Sequence, residues 1–351
     1  MRSIWSQTTS MPTFPPLEGD TRTDILIIGG GIAGLLCAWE LERVGADYLL
    51  VEAKELCSGV TANTTAKITA QHGILYQKLL PSLGVEKTKL YFQANQRAVE
   101  RYKAFCRDID CDFREETAFV FARSDTKKLE RERAAYQAIG VETTLQKSSP
   151  LPFPVAGCLA LPGQGQVAPL KFLSHIAQGL NIREHTKVQG LAPGEALTDQ
   201  GVIRANKIIV ATHFPILNKH GLYALKMYQH RSYVLALRGA EQLEGMYVSQ
   251  DDTGLSFRMY GELLLAGGGG HRTGKEGGGW RELRSLARRW YPGAEEAWHW
   301  AAQDCITLDG GAYVGQYSSK TPGLFVTTGF NKWGMTTALA GAEILRDLVQ
   351  G

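Results

Sequence analysis

A short apolar run, a glycine turn and a helical pattern follow one another near the N-terminus. Residues 24–28 read DILII, which is typical of a strand buried in a parallel sheet. The glycine stretch 29–34 follows, and residues 32–44 have a helical pattern that ends at Gly45. Residues 48–51 form a second apolar run. This order predicts a β-α-β unit.

The rest of the chain alternates between helix-like and strand-like segments. The proline-containing stretch 1–23 predicts an extended arm, and helical patterns at 86–107 and 125–139 flank a short strand at 118–122. The other predicted elements are helices at 169–180, 280–290 and 335–349, strands at 186–191, 202–211 and 324–328, and antiparallel strands at 231–238, 246–249, 255–260 and 262–266.

This order predicts two interleaved domains of the α/β class. The arm 1–23 precedes a Rossmann-like dinucleotide-binding domain that is assembled from three pieces, 24–75, 150–215 and 300–351. Segments 76–149 and 216–299 form an inserted α+β substrate domain around a mixed sheet.

Composition narrows the class of protein. The 351 residues are 44% hydrophobic and 21% charged, as in a globular protein, and the net charge of +3 predicts no nucleic-acid partner. The six cysteines form no CxxC pair, so we expect free thiols and no metal site. The sequence shows neither a signal peptide nor a membrane span, which predicts a cytoplasmic location.

The glycine turn contains the GxGxxG pattern that binds dinucleotides. Gly29 allows the tight turn, Gly31 lets a pyrophosphate approach the backbone, and Gly34 lets the helix pack on the strand. Glu52 ends the second strand, where a carboxylate accepts hydrogen bonds from ribose hydroxyls and repels a 2′-phosphate. The motif disfavours NADP and leaves FAD and NAD both open.

The last strand and helix allow two interpretations. The predicted strand 324–328 leads through Gly329 and Gly334 into the helix 335–349. The helix N-terminus either stabilises negative charge on a reduced flavin, or the helix simply packs on the sheet through small residues.

A second glycine run, 267–270, follows a predicted strand but opens no helix. We therefore predict a flexible or closely packed turn there rather than a second dinucleotide site.

Several motifs spread over nearly the whole chain match one family. They are PLEGD (16–20), DILIIGGGIAG (24–34), TTAKITAQHG (64–73), IIVATHFP (208–215), SFR (256–258), GGGGHRTG (267–274), AQDCITLD (302–309) and GFNKWGM (329–335). On these motifs the chain resembles the D-amino-acid oxidase and glycine oxidase (DAO) superfamily of FAD enzymes. It is most similar to the flavoprotein half of bacterial proteins fused to a C-terminal Rieske domain. Because the sequence stops at Gly351, we expect that domain to be absent and the electrons to pass to oxygen or to a separate carrier.

The resemblance implies a Rossmann-like FAD-binding domain that holds FAD without a covalent bond. In covalently linked relatives the attaching cysteine corresponds to Ala302, whereas Cys305 lies three residues further on. The residues that it implies for FAD binding are Gly29, Gly31, Ile32, Ala33, Gly34, Glu52, Ala53, Thr64, Thr65, Ala66, Val188, Ala211, Thr212, Gly329, Lys332, Trp333, Gly334 and Met335.

The resemblance also suggests four catalytic residues. Lys67 and His72 follow the second strand in a loop that passes near the flavin in relatives, where a positive group assists reduction of flavin or oxygen; His72 is alternatively structural. Arg258 lies in the region that roofs the substrate pocket. Asp304 replaces an arginine that clamps the substrate carboxylate in relatives, which favours an amine unless Asp304 is paired structurally.

The leading functional hypothesis is oxidation of a C–N bond in a small amine or amino acid, by hydride transfer to flavin N5. The alternative is an electron-transfer flavoprotein subunit that works with a separate iron–sulfur partner. An NAD-dependent dehydrogenase remains only if the C-terminal resemblance misleads.

Overall fold

The computed structural model describes residues 2–217, 220–251 and 254–351. The chain divides into two compact units. The glycine-loop unit comprises Trp5–Ala62, Pro169–Tyr228 and Asp304–Gly351. The mixed-sheet unit comprises Asn63–Ala168 and Gln229–Gln303, together with the first residues of the chain.

The glycine-loop unit contains a sheet of eight strands, counted over the described residues and numbered along the whole chain. The strands are β1 (Thr21–Ile28), β2 (Tyr48–Val51), β7 (Ile182–Arg183), β8 (Val188–Ala192), β9 (Glu195–Thr198), β10 (Val202–Val210), β16 (Tyr313–Gln316) and β17 (Leu324–Thr328). Their order is β16-β17-β10-β1-β2-β7, and β9 joins β8 to β10. From β17 to β7 the neighbouring strands run parallel. This is the doubly wound arrangement that the apolar runs predict.

The helices of this unit connect the strands. They are α1 (Ile4–Thr8), α2 (Ile32–Glu42), α5 (Pro169–Ile176), α6 (Tyr223–Lys226) and α8 (Gly334–Gln350), with a 3₁₀ turn at Val60–Asn63. Apolar side chains from β1, β2 and β10, including Leu26, Val51 and Ile208, form one core cluster. The arm differs from the prediction, because α1 is helical and β1 begins at Thr21 rather than at 24.

The mixed-sheet unit contains nine strands within the described residues. They are β3 (Lys67–Ile68), β4 (Arg114–Ala122), β5 (Thr144–Gln146), β6 (Gly157–Gln166), β11 (Met227–Arg238), β12 (Met246–Ser249), β13 (Ser256–Tyr260), β14 (Leu263–Arg272) and β15 (Glu295–Thr307). Their order is β15-β11-β14-β13-β12-β4-β6-β3, with β5 beside β6. The pair β12–β4 is parallel, whereas β13–β14 and β4–β6 are antiparallel, so the sheet is mixed.

Three helices complete this unit: α3 (Tyr76–Phe105), α4 (Lys127–Ala138) and α7 (Gly279–Trp290). α3 is longer than the predicted helix 86–107 and is interrupted at Gly84, where φ is +77°. Together with the parallel sheet of the other unit, these elements confirm the predicted α/β class.

The unit boundaries differ from the predicted domain bounds. Residues 63–75 and 157–166 belong to the mixed-sheet unit, because β3 and β6 pair with each other and β6 pairs with β4. The prediction of a turn at glycines 267–270 is wrong, because these residues lie inside β14. Gly269 has φ +61°, and a Cβ there would lie 2.3 Å from the carbonyl oxygen of Gly279, so the run allows close packing.

Among the helices of the described residues, none combines the length and apolar character required to cross a bilayer.

Candidate cofactor and active site

Two glycines fix the junction between β1 and α2. Gly29 has φ +110°, and a Cβ on it would lie 2.7 Å from the carbonyl oxygen of Ala211. A Cβ on Gly34 would lie 1.8 Å from the carbonyl oxygen of Gly29. Both positions therefore require glycine. Gly29 needs it for the positive φ and for the close Ala211 carbonyl, and Gly34 needs it so that the helix can pack closely on the strand.

Gly31 lies at the N-terminus of α2 and is less constrained. A Cβ there would meet only the Thr61 hydroxyl, at 3.3 Å. The same hydroxyl accepts a hydrogen bond of 3.0 Å from the Ile32 amide, and Ala33 and Gly34 continue the first turn. The positive end of the helix dipole and its first amides lie here, a suitable site for phosphate. Sequence reasoning missed Thr61, which lies far along the chain from the glycines that it supports.

The Glu52 carboxylate is fixed beside the glycine loop. One oxygen accepts a hydrogen bond of 2.6 Å from the Gly30 amide, and the other accepts one of 2.9 Å from the Lys54 amide. The Glu52 carbonyl accepts a bond of 2.9 Å from the Thr186 amide. The neighbouring Ala53 is exposed. The carboxylate is thus oriented at the end of β2, where a ribose is held in dinucleotide-binding folds.

The remaining predicted residues of the central strands also lie in this unit. Val188 begins β8. The Ala211 amide donates a bond of 2.9 Å to the carbonyl of Ile28, which holds the end of β10 against β1. The Thr212 hydroxyl donates to the carbonyl of Phe214 at 2.9 Å. The carboxyl ends of β1 and β10 therefore meet at the glycine loop.

The loop before α8 has a left-handed backbone. Gly329, Asn331 and Lys332 have φ of +71°, +51° and +72°. A Cβ on Gly329 would lie 2.4 Å from Thr307 Cγ2, so that position requires glycine. Trp333 is the N-cap residue of α8, which begins at Gly334 and has Met335 buried in its first turn. Non-glycine residues in this conformation mark a backbone that the surrounding structure holds in place.

Asn331 supplies the hydrogen bonds that hold this loop. Its Oδ1 accepts from the Thr307 amide at 2.7 Å, and its Nδ2 donates to the Thr307 hydroxyl at 2.9 Å and to the Gly310 carbonyl at 3.0 Å. Its amide donates to the Cys305 carbonyl at 3.2 Å. Sequence reasoning did not single out Asn331, although asparagine is the non-glycine residue best suited to a positive φ.

Asp304 lies close to two basic residues. The surrounding protein raises the pKa of its carboxyl, and the nearby Lys332 and His213 act in the opposite direction. Lys332 is an exposed residue, but the protein around its ammonium lowers its pKa, whereas Asp304 raises it. The carboxylate therefore already has cationic neighbours, which favours the structural alternative for Asp304.

The mixed-sheet unit contains Thr64, Thr65 and Ala66, together with Lys67. The Thr64 hydroxyl accepts a bond of 3.0 Å from the Ala66 amide, and Lys67 Nζ donates to the Thr65 hydroxyl at 3.2 Å. Ala66 has φ +51°, and its carbonyl accepts a bond of 3.4 Å from the Val167 amide. This turn leads directly into β3.

The unit also brings together two of the predicted catalytic cations. Arg258 is 1% exposed and donates to the carbonyl of Val167 at 3.2 Å. Burial and the charge of Arg258 lower the pKa of Lys67 to about 7. Burial also lowers the pKa of Arg258 to about 9. At neutral pH Arg258 stays charged, while Lys67 is divided between ammonium and free amine.

His72 is buried and makes hydrogen bonds through both ring nitrogens. Nδ1 lies 2.8 Å from the Tyr91 hydroxyl, and Nε2 lies 3.0 Å from the Thr69 carbonyl. The carbonyl only accepts, so Nε2 carries the proton and Nδ1 accepts from Tyr91. Burial lowers the pKa of His72 to about 3, which keeps it neutral. This geometry favours the structural alternative for His72.

The glycine loop, the oriented Glu52 carboxylate and the parallel sheet agree with the match to a known family. Residues 24–348 match the family described as DAO, FAD dependent oxidoreductase. The chain belongs to the DAO family of FAD-dependent oxidoreductases. It is an enzyme of the oxidoreductase class, and the family match decides between FAD and NAD in favour of FAD.

Relatives of this DAO-family chain include proteins with different printed names. A putative Rieske 2Fe-2S iron-sulfur protein of Bacillus subtilis, YhfW, is 35% identical, and the alignment covers 99% of this chain and 72% of that protein. A D-amino acid dehydrogenase of Methylobacterium radiotolerans is 23% identical over 93% of this chain and 96% of its own length.

Solved structures share the fold. Glycine oxidase from Geobacillus kaustophilus superposes with a TM-score of 0.76 at 21% identity, covering 94% of this chain and 95% of that one. L-proline dehydrogenase from P. horikoshii also gives 0.76, at 18% identity, covering 95% of this chain and 94% of that one. At this level of identity the likeness shows the fold alone.

The residues of the glycine-loop unit fit FAD. Gly31 leaves the N-terminus of α2 without a side chain, so that a pyrophosphate has room to reach the helix amides. The Glu52 carboxylate is oriented beside it for a ribose. The predicted residues Thr64, Thr65 and Ala66 are in the mixed-sheet unit, and their contacts with FAD remain a prediction.

Proposed function

We propose that this DAO-family enzyme oxidises the C–N bond of a small amine or amino acid, by hydride transfer from the substrate carbon to N5 of FAD. The observation that carries the proposal is that two basic side chains lie in the same unit, close enough for the charge of Arg258 to lower the pKa of Lys67. An amino acid suits this pair better than a simple amine, because Arg258 would attract its carboxylate.

Lys67 and Arg258 would have different roles. An amine substrate is an ammonium ion at neutral pH and must lose a proton before its nitrogen can assist hydride loss from carbon. Lys67, with a pKa of about 7, accepts that proton in its neutral form. Arg258, with a pKa of about 9, keeps its charge and orients the substrate carboxylate. FAD, when bound, supplies the hydride acceptor.

The surroundings of Asp304 favour an amino acid over a simple amine as the substrate. The carboxylate has Lys332 and His213 as neighbours, which compete with a substrate ammonium for it. Asp304 therefore gives less support to a simple amine than its position in the sequence suggests. The 23% identical relative named D-amino acid dehydrogenase supports the amino-acid class.

We also propose that FAD is bound without a covalent link. Ala302 occupies the position of the linking cysteine, and Cys305 is 1% exposed and has its pKa raised to about 12 by burial. A buried, protonated thiol is a poor nucleophile.

A second candidate function concerns the electron acceptor. The 35% identical relative is named a Rieske 2Fe-2S iron-sulfur protein, which supports a flavoprotein that passes electrons to an iron–sulfur partner. In that case the substrate would still be oxidised at its C–N bond, and the reduced enzyme would pass its electrons to a carrier protein rather than to oxygen.

The test is an anaerobic titration of the purified, FAD-loaded protein, followed by its visible spectrum. Amino acids and the matching amines that lack the carboxylate are added in pairs. We expect an amino acid to bleach the flavin bands and its decarboxylated partner to bleach them more slowly. The Arg258→Lys variant, which keeps a charge but loses the fork geometry, should reduce this difference.

The other outcomes separate the alternatives. Bleaching by amines alone would overturn the preference for amino acids. If no amine or amino acid bleaches the flavin but a reduced iron–sulfur protein does, electron exchange with such a protein is supported and the proposed C–N oxidation is not. When air is admitted after bleaching, rapid return of the bands identifies oxygen as an acceptor, and slow return favours a carrier.

A further inference from the structure

The turn formed by residues 63–67 leads into β3 and joins two of its own side chains. Thr65 and Lys67 flank Ala66, whose backbone is left-handed with φ +51°. The Lys67 amine donates a hydrogen bond of 3.2 Å to the Thr65 hydroxyl, and this bond is partly buried. The turn therefore places a hydroxyl against the amine that is proposed to accept the substrate proton.

The partner of this amine is neutral. Among the residues that the structure describes, Lys67 Nζ pairs with the Thr65 hydroxyl and with no carboxylate. A carboxylate in that place would favour the ammonium and hold the pKa of the lysine high. A hydroxyl accepts an N–H from the ammonium and from the free amine alike, and it leaves the lone pair of the amine available for a proton.

The turn is anchored at both ends within the mixed-sheet unit. At its start, the indole Nε1 of Trp300, a side chain with no exposed surface, donates a hydrogen bond of 3.0 Å to the Asn63 carbonyl. At its end, Lys67 pairs with Gln166 where β3 meets β6. The backbone between these anchors therefore fixes the position of the Thr65 hydroxyl relative to the lysine.

We propose that Thr65 is a positioning residue for the general base: its hydroxyl holds the Lys67 amine, and Trp300 holds the turn that carries both. The inference rests on the proposed function, in which Lys67 takes the substrate proton. Lysine has a long flexible stem, so an amine without a partner would spend little time within hydrogen-bond reach of the substrate nitrogen. Threonine suits the role because its branched Cβ restricts its own rotamers.

The proton transfer balances with this bond in place. The substrate ammonium loses one proton to the lone pair of the Lys67 amine, so the substrate becomes a free amine and Lys67 becomes an ammonium. Lys67 still donates an N–H to Thr65 in its new charge state. After the product leaves, the ammonium returns the proton to water.

The experiment compares FAD-loaded variants of the full chain. Thr65→Val removes the hydroxyl and keeps the shape of the side chain, whereas Thr65→Ser keeps a hydroxyl. The matched control is Thr143→Val, which removes a hydroxyl of the same unit that has no hydrogen-bond partner within the described part of the chain. An unchanged flavin spectrum shows that each variant is folded and loaded.

The first measurement is the pKa of Lys67 without substrate, from the NMR shift of Cε in lysine-labelled protein, with Lys67→Met identifying the signal. We expect a pKa of about 7 in the wild type. In Thr65→Val it should fall by about one pH unit, because the lost hydrogen bond favours the charged form. Thr65→Ser and Thr143→Val should stay near the wild type. An unchanged pKa in Thr65→Val would overturn the inference and leave the proposed function standing.

The second measurement is the pH profile of kcat/KM with the substrate found by titration. In Thr65→Val the rise near neutral pH should move downward with the pKa of Lys67, and kcat should fall about tenfold with little change in KM, because the base is misplaced. Thr65→Ser should recover most of the activity. If the pKa of Lys67 falls but the profile does not move, Lys67 is not the base, and the proposed function fails together with the inference.

A second variant covers loss of the cofactor in Thr65→Val. Trp300→Phe removes the indole N–H that binds Asn63 and keeps the Thr65 hydroxyl. Because the turn is then released at its start, we expect the pKa of Lys67 and kcat to fall in the same direction. A Trp300→Phe enzyme with the Lys67 pKa and kcat of the wild type would show that the anchored turn does not position the amine.

Discussion

The ionisation of Lys67 depends on its neighbours more than on its own basicity. An ordinary lysine remains protonated well above neutral pH. Burial and the Arg258 guanidinium favour the uncharged amine, so the pKa falls to about 7. Arg258 cannot turn away easily, because it is 1% exposed and binds the Val167 carbonyl. A lysine that changes charge near neutral pH can accept a proton under working conditions.

Replacement of this lysine should remove a pH-dependent step. We expect kcat/KM of the wild type to rise as the pH passes upward through about 7, where Lys67 loses its proton. Lys67→Met should lack this rise and have kcat/KM reduced by about 10²-fold at pH 8, a typical loss for a general base. The measurement is the pH profile of kcat/KM with the substrate found by titration.

The matched control is Lys87→Met, which removes an exposed lysine from α3 in the same unit. Its profile should follow that of the wild type. An unchanged pH profile in Lys67→Met would remove Lys67 from the proton-transfer role.

At the scale of elements, the junction of β1 and α2 places different demands on its glycines. A Cβ on Gly34 would meet the Gly29 carbonyl at 1.8 Å, and neither backbone can move without separating the helix from the strand. A Cβ on Gly31 would meet only the Thr61 hydroxyl, at 3.3 Å, which a side-chain rotation relieves. Packing and cofactor binding can therefore be separated by mutation.

Alanine at these two positions should have different effects. Gly34→Ala should lower the melting temperature of the apoprotein or prevent folding. Gly31→Ala should leave the apoprotein near wild-type stability and raise the Kd for FAD by about tenfold, equivalent to about 1.4 kcal/mol, because a methyl group obstructs the phosphate. Thermal unfolding and quenching of FAD fluorescence measure the two effects; equal losses of stability would contradict the distinction.

The loop before α8 should depend on Asn331 both for the hydrogen bonds of its side chain and for its tolerance of a positive φ. Asn331→Ala loses the hydrogen bonds to Thr307 and Gly310 and must keep φ near +51°. Asn331→Gly loses the same bonds but adopts that φ without strain. We expect both to destabilise the holoprotein to denaturant, with the glycine variant losing about 1–3 kcal/mol from unpaired groups. A glycine variant as stable as the wild type would show that only the conformation matters.

The elements that the sequence predicts well are those with a regular apolar period. The β-α-β unit and α8 lie close to their predicted bounds because buried runs and glycine turns mark them directly. β6 could not be recognised, because its sequence GCLALPGQGQ contains the turn-forming residues Pro162, Gly163 and Gly165. Sheet pairing with β4 overrides this local preference, and β6 takes its residues into the mixed-sheet unit.

In the candidate site, too, the sequence predicts residues with a fixed local spacing and not those brought together by folding. The glycines and Glu52 have fixed spacing in the sequence and could be predicted together. Thr61 and Asn331 could not, because each acts through a hydrogen bond to a residue that only folding brings near. The lowered pKa of Lys67 likewise depends on Arg258, which lies far along the chain.

At the scale of the whole molecule, neither unit is a continuous piece of chain. The backbone changes unit after residues 4, 62, 168, 228 and 303. Unfolding of one unit would therefore release segments that anchor the ends of the other, which favours a single cooperative transition. FAD is the cofactor of this family, and the residues of the glycine-loop unit that are predicted to bind it include Gly31 and Glu52.

Binding of FAD should accordingly stabilise both units against unfolding together. Free FAD at 100 times its Kd should add about 2.7 kcal/mol to the free energy of unfolding, and the gain should grow with the logarithm of its concentration. We expect calorimetry of the apoprotein to show one transition that moves upward as a whole when FAD is added. Gly31→Ala should require more FAD for the same shift, which ties the stabilisation to the glycine loop. Two transitions, of which FAD moves only one, would show that the interleaved segments unfold independently and that cofactor binding protects the glycine-loop unit alone.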